Sequence, residues 1–97
     1  MTVWPLQSMA PTNLSIRLRV EPNPDHRYLQ VVADSGTFLR SSQIQLDGDR
    51  AQRTTLIEFR NVPGGEYDVL GVLFDGAGRE VGRVKQTAVV VASVTDY

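Results

Sequence analysis

Cysteine is missing from all 97 positions of this chain. Its absence excludes a disulfide framework, a thiolate nucleophile and any zinc site built on sulfur. Histidine is almost missing. His26 is the only one and falls in the turn-like run Pro22–His26, so a Ser-His-Asp device would rest on a loop and a metal site would have one imidazole. Lysine is scarce as well, Lys85 standing alone beside nine arginines. Such a bias ordinarily follows genomic base composition, although arginine is also the residue that reads planar carboxylates and phosphates. Charge of one sign is lacking: ten basic and eleven acidic side chains leave a net charge of −1, with no global field to draw nucleic acid or an anionic membrane. No apolar run approaches the ~18 residues of a transmembrane helix. Met1–Pro11 has neither the basic start nor the apolar centre of a signal peptide. Helical periodicity is missing too, since no stretch of ten residues holds a 3.6 spacing, and no α-helix longer than one turn is expected.

What is present is alternation. Leu14, Ile16, Leu18 and Val20 alternate with Ser15, Arg17, Arg19 and Glu21, the pattern of a strand with one face in water. Arg27–Ala33 reads as a second strand, with Leu29, Val31 and Ala33 toward the core, and Asp34-Ser35-Gly36 closes it with turn chemistry. A third strand is expected over Thr37–Leu46. Phe38, Ile44 and Leu46 are in phase there and Leu39 is not, which suggests a bulge near Ser41-Ser42. Asp47-Gly48-Asp49 is a turn. With the strands described next, about seven short strands are expected, jointed by Gly, Pro and Asp. That is the pattern of a sandwich, in one domain large enough to bury a core without staples.

The rest of the chain is organised around Thr55–Arg83. Leu56, Ile57 and Phe59 form a strand that Asn61–Gly65 stops. Pro63 presets φ and cannot donate to a ladder, Gly64 and Gly65 permit φ > 0, and Tyr67 leaves the corner with a ring to bury and a hydroxyl in need of a partner. Tyr67–Phe74, the Asp75–Gly78 hairpin, Glu80–Lys85 and Thr87–Ala92 follow.

Asn-Val-Pro-Gly-Gly-Glu-Tyr, residues 61–67, resembles the tyrosine corner of immunoglobulin-like sandwiches. It is similar to the L-x-P-G-x-x-Y of fibronectin type III domains and more closely to the n-L-P-x-G-x-Y of bacterial immunoglobulin-like and prealbumin-like modules. Val62 to Tyr67 is five steps, one fewer than in the fibronectin pattern, which favours the bacterial modules. The resemblance implies an all-β, antiparallel immunoglobulin-like β-sandwich. It puts the Leu14–Glu21, Arg27–Ala33 and Leu56–Asn61 strands on one sheet, opposite a sheet that contains Tyr67–Phe74 and Val84–Ala92. Residues 1–12, with two prolines and no periodicity, read as an N-terminal arm or an early edge segment, 13–94 as the sandwich and 95–97 as a tail. The implied role is a non-catalytic spacer, adhesion or accessory domain of a larger bacterial extracellular or cell-envelope protein, a cytoplasmic location staying open. The alternative is a carbohydrate- or small-ligand-binding module that uses loops at one end of the sandwich.

Catalysis has few groups to work with. Asp34, Asp47, Asp49, Asp75 and Glu80 all fall at turns, where carboxylates serve the local backbone. Asp47-x-Asp49 and Asp75 look like fragments of calcium loops but lack the full alternating set. No enzyme activity, metal or cofactor is expected. The candidate functional surface is the sheet. With Tyr67, Val69, Gly71 and Leu73 pointing in, Asp68, Leu70, Val72 and Phe74 point out, and Ala88–Val91 extends the apolar area. An outer face of this kind is expected to be covered by a protein partner, a neighbouring domain, a second copy, or the arm through Trp4. Leu70, Val72, Phe74 and Trp4 are therefore the candidate binding residues, with neither nucleic acid nor membrane insertion expected.

Overall fold

A computed structural model describes residues 1–46, 48 and 53–92. Among the described residues there are eight strands: β1 (Thr2–Trp4), β2 (Gln7–Met9), β3 (Thr12–Arg19), β4 (His26–Asp34), β5 (Leu39–Gln45), β6 (Thr54–Val62), β7 (Gly65–Asp75) and β8 (Glu80–Val91). The described residues contain no α-helix. They form a three-stranded sheet, β1-β3-β6, and a five-stranded sheet, β2-β8-β7-β4-β5. Every pairing is antiparallel except β2 on β8. The expected turn at 47–49 and the tail at 95–97 lie outside the described residues, Gly48 excepted.

Period-2 alternation turns this sequence into two faces. On β3, Leu14, Ile16 and Leu18 are buried while Asn13, Arg17 and Arg19 are exposed. On β4, Leu29, Val31 and Ala33 are buried, as the alternation predicts. Val3, Leu14, Ile16, Leu18, Phe59 and Val62 come from the smaller sheet. With Leu29, Val31, Ala33, Tyr67, Val69, Ala88 and Val90 of the larger one they join in one apolar core, which gives the molecule its β-sandwich architecture.

The strand count differs from the expected seven for two reasons. Glu80–Lys85 and Thr87–Ala92 are one continuous strand, β8, because Gln86 keeps its pairing with Val69 on β7. And the first twelve residues contribute two strands, β1 and β2, where a loose arm or an early edge segment was expected. β1 adds to β3 with Val3 opposite Ile16, and β2 adds to β8 with Ser8 opposite Val90. Between them the chain passes from one sheet to the other at Pro5-Leu6, where the Leu6 carbonyl accepts from the Val89 N–H at 2.9 Å. The Trp4–Pro5 and Ala10–Pro11 peptide bonds are cis.

Two further expectations are corrected. Arg27–Ala33 does not share a sheet with Leu14–Glu21 and Leu56–Asn61. β3 and β6 do pair, Ile16 facing Ile57, but β4 lies beside β7 with Val31 facing Gly71, since β1 already occupies the free side of β3. Nor is there a bulge at Ser41-Ser42. The β4–β5 register runs unbroken from Tyr28↔Gln45 to Asp34↔Leu39, and Leu39 simply points into solvent, 57% exposed. The irregularities sit instead at Thr12/Leu14, His26/Tyr28 and Leu73/Phe74.

The corner between β6 and β7 closes on Tyr67. Its ring is fully buried, set edge-on to Phe38 with centroids 6.3 Å apart, and its hydroxyl donates to the Pro63 carbonyl at 2.8 Å. The left-handed residue here is Asn61, at φ 55°, and neither Gly64 nor Gly65 has positive φ. The two glycines are needed for proximity. A Cβ on Gly64 would lie 2.9 Å from Ala92 Cα, and one on Gly65 2.9 Å from Ser35 Cβ. Tyr67→Phe is expected to destabilise the domain by about 1 kcal/mol through loss of that hydrogen bond, and Tyr67→Ala by about 3 kcal/mol or more through the cavity. Urea melts of the two variants check this, and a neutral result for both would mean that the corner does not hold the fold.

Candidate functional site

The outer face of the five-stranded sheet is where the sequence-predicted binding residues meet. Three of the four lie there, in line on β7. Leu70 faces Val32 on β4 and Lys85 on β8; Val72 faces Gln30 and Arg83; Phe74 faces Tyr28 and Glu80. Phe74 and Tyr28 stack with centroids 4.8 Å apart at 19°, an offset geometry that adds to the area they bury. The row is less bare than the alternation alone suggests. Leu70 and Phe74 are half-buried, and Val72 is only 6% exposed, because the long flanking side chains of Gln30 and Arg83 stand on either side of it. The face is thus an apolar centre (Val32, Leu70, Val72, Phe74, Tyr28) rimmed by charge, with Lys85 3.6 Å from Asp68 and Arg83 2.8 Å from Glu80. The Glu80 contact holds the Arg83 guanidinium more firmly protonated, raising its pKa.

Trp4 does not belong to this face. It sits on β1 opposite Ser15, alternating with buried Val3, so its ring stands 44% exposed on the outer side of the smaller sheet. Leu56, 68% exposed, shares that side. Coverage of Leu70 and Val72 by the N-terminal residues through Trp4 is therefore ruled out by topology: two sheets and the core lie between them. On β8, Val89 and Val91 do extend the outer face, together with Met9 of β2, whereas Ala88 and Val90 point into the core.

An apolar cleft of about 210 Å³ opens at the flank between β3 and β8, lined by Leu18, Leu29, Leu73, Gly82 and Val84 with Arg19, Glu21, His26 and Arg83 at its rim. Sequence reasoning did not find it, since its lining comes from four strands spread along the chain. The cleft has one carboxylate and one imidazole, whose Nδ1 donates to the Glu21 carbonyl at 3.0 Å. No Ser, Thr, Cys or Lys stands among the lining residues to act as a nucleophile beside that ring.

Asp75, the acidic group with the most partners, serves its own turn. It is 8% exposed. Its Oδ1 accepts from the N–H groups of Ala77 and Arg79, both at 2.9 Å, and its Oδ2 accepts from Arg79 Nε at 3.0 Å. The Arg79 N–H, the Arg79 side chain and the Ala77 N–H together hold the carboxyl below its ordinary range against the opposing effect of burial. With its oxygens engaged in this way, Asp75 is a hairpin clamp. Among the described residues no group of three or more His, Asp or Glu is placed to hold a metal ion; Asp47 and Asp49 lie outside them. No family model, curated protein or solved structure matches the chain.

Because the folded-state pKa of Asp75 is depressed, the clamp contributes stability that is full above the unfolded carboxylate value and is lost as pH falls through the folded value. Asp75→Asn is expected to be less stable than the parent near neutral pH, the gap closing as the pH drops below about 4. Urea melts at a neutral and an acidic pH measure it, and a gap independent of pH would show that charge has no part in the turn.

Proposed function

We propose that this chain is a non-catalytic, immunoglobulin-like structural and interaction module, of the kind that serves as a spacer, adhesion unit or accessory domain in bacterial extracellular or cell-envelope proteins. The observation that carries the reading is the Tyr67 hydroxyl bonded to the Pro63 carbonyl at the β6–β7 corner, the feature that marks immunoglobulin-like sandwiches. The strand order supports it. In immunoglobulin lettering the three-stranded sheet reads A-B-E and the five-stranded sheet A′-G-F-C-C′, the first strand being split between sheets at Pro5. In this lettering β3 takes B and β4 takes C.

The role as an interaction module rests on the outer face, whose centre of Val32, Leu70 and Phe74 is apolar and whose rim is charged, the common anatomy of a protein interface. A carbohydrate- or small-ligand site at the sandwich ends is less well supported. The end loops at 22–25, 35–38 and 76–79 contain one aromatic residue, Phe38, and its ring is turned toward Tyr67, leaving no aromatic platform for a sugar. Among the described residues no hydrogen-bonded nucleophile–base pair supports an enzyme.

Titration of the ¹⁵N-labelled chain with a panel of soluble mono- and disaccharides and with Ca²⁺ tests the choice. The expected spectrum is unchanged. Saturable shifts confined to 22–25, 35–38 or 76–79 would overturn the module reading in favour of a ligand-binding one.

A further inference from the structure

Each sheet has two edges, and the four are not equally defended. An open edge presents unpaired N–H and C=O groups, which proteins blunt by shortness, charge, proline or bulges. β1 and β2 are three residues each. β6 is longer but places the Glu58–Arg60 ion pair, 2.7 Å, on its solvent side. β5 has none of these defences beyond one arginine. Its seven residues, LRSSQIQ, include no acid, lysine, proline or glycine, and its register with β4 has no bulge. Its single charge, Arg40, lies over the Phe38 ring at 5.3 Å. Among the described residues no strand pairs with its outer side.

The same strand is complementary to itself. Antiparallel pairing about a two-fold axis at Ser42 sets Leu39 opposite Gln45, Arg40 opposite Ile44, Ser41 opposite Gln43 and Ser42 opposite its own copy, so no like charges meet. The other long free edges fail this test about their own centres. β6, centred on Glu58, would put glutamate on glutamate, and the part of β8 left open by β2, Glu80–Gln86, would put Arg83 on Arg83. Directly opposed like charges destabilise a strand pair.

We propose that the chain forms a symmetric homodimer in which β5 pairs antiparallel with β5 of a second copy, joining two five-stranded sheets into one of ten strands. Ser41 and Gln43 of each copy then face Gln43 and Ser41 of the other as a polar ladder, and the Val32 and Tyr28 rows of the two outer faces become continuous across the axis. The inference rests on the interaction-module reading and supplies its partner. Its failure would leave that reading intact, because Leu70 and Phe74 lie two strands away from β5. A single strand pair buries less than the ~1,200 Å² of a stable complex, so the association is weak and depends on concentration.

Sedimentation velocity of the full chain from micromolar to millimolar concentration, with circular dichroism to verify the fold of each variant, is the test. The parent is expected to pass from monomer to dimer. Ser41→Lys with Gln43→Lys, at two exposed positions, sets lysine against lysine at both cross-strand pairs and is expected to give a monomer throughout. Ser41→Lys with Gln43→Glu sets opposite charges there and is expected to tighten the dimer roughly three- to tenfold. Because the chain has no cysteine, Ser42→Cys introduces a single thiol on the axis, expected to form an intermolecular disulfide on mild oxidation, while Leu56→Cys on β6 does not. A parent that stays monomeric at millimolar concentration overturns the proposal. So does a dimer that survives the double lysine change, or one that the Ser42→Cys substitution fails to cross-link.

Discussion

The hydrogen bond from Tyr67 to the Pro63 carbonyl is the constraint on which the other contacts of this fold depend. Burying a phenol ring is favourable only if its hydroxyl keeps a partner, and the acceptor it takes is four residues back, across the turn that carries the chain from the smaller sheet to the larger. Satisfying it fixes the angle at which β7 leaves β6. That angle then decides that Tyr67, Val69 and Gly71 face inward, which sets the phase of the whole eleven-residue strand. β7 is the middle of the larger sheet, flanked by β4 and β8, so its phase passes to both neighbours through the ladder. The close contacts that Gly64 makes with Ala92 and Gly65 with Ser35 show how little room the corner leaves for any other geometry.

This dependence explains why much of the fold could be read in the sequence. A proline, two glycines and a tyrosine at fixed spacing specify a corner, and strict alternation such as Leu14 to Val20 specifies a buried face; both are local signals. What could not be read depends on partners distant in sequence. Nothing in TVW or QSM announces a strand. Those segments are held by Ile16 on one sheet and Val90 on the other, and three residues are too few for alternation to register. Once they occupy the first-strand positions, the neighbours of β3 and β4 change, which is why the sheet assignment of Arg27–Ala33 could not follow from its own residues. The suspected bulge at Ser41-Ser42 came from a related cause. An exposed leucine at 39 looks like an error of phase when inward positions such as Ser42 are weakly apolar, although the ladder with β4 holds the register without help from either.

The candidate site was legible in direction and not in degree. Alternation correctly turned Leu70, Val72 and Phe74 away from the core, but whether an outward apolar residue meets water is settled by what stands beside it on the next strand. Gln30 and Arg83 shelter Val72, and Tyr28 takes one face of Phe74. Trp4 was separated from these residues by the same topological switch that made β1 and β2. A tryptophan early in a chain is free to fold onto any nearby surface until a strand pairing commits it, and here Val3 turning inward commits its neighbour outward on the opposite sheet.

Sheltering the outer face in this manner shifts the question of association from faces to edges. A half-covered row such as Leu70–Phe74 has less apolar area left to gain from a partner than its composition suggests, since the hydrophobic contribution scales with area still exposed. Backbone groups on an open edge are different. No flanking side chain can satisfy a row of N–H and C=O groups aimed sideways, and only water or another strand can. The chain answers this with shortness at β1 and β2 and with a glutamate–arginine pair at β6, and each answer costs nothing in the core because those side chains already point outward. The same substitution was open to β5 at Ser41, Gln43 and Gln45, all of which face solvent. That these positions hold uncharged hydrogen-bonding side chains, on a long edge whose sequence tolerates its own reflection, is a property of the strand that core packing does not require.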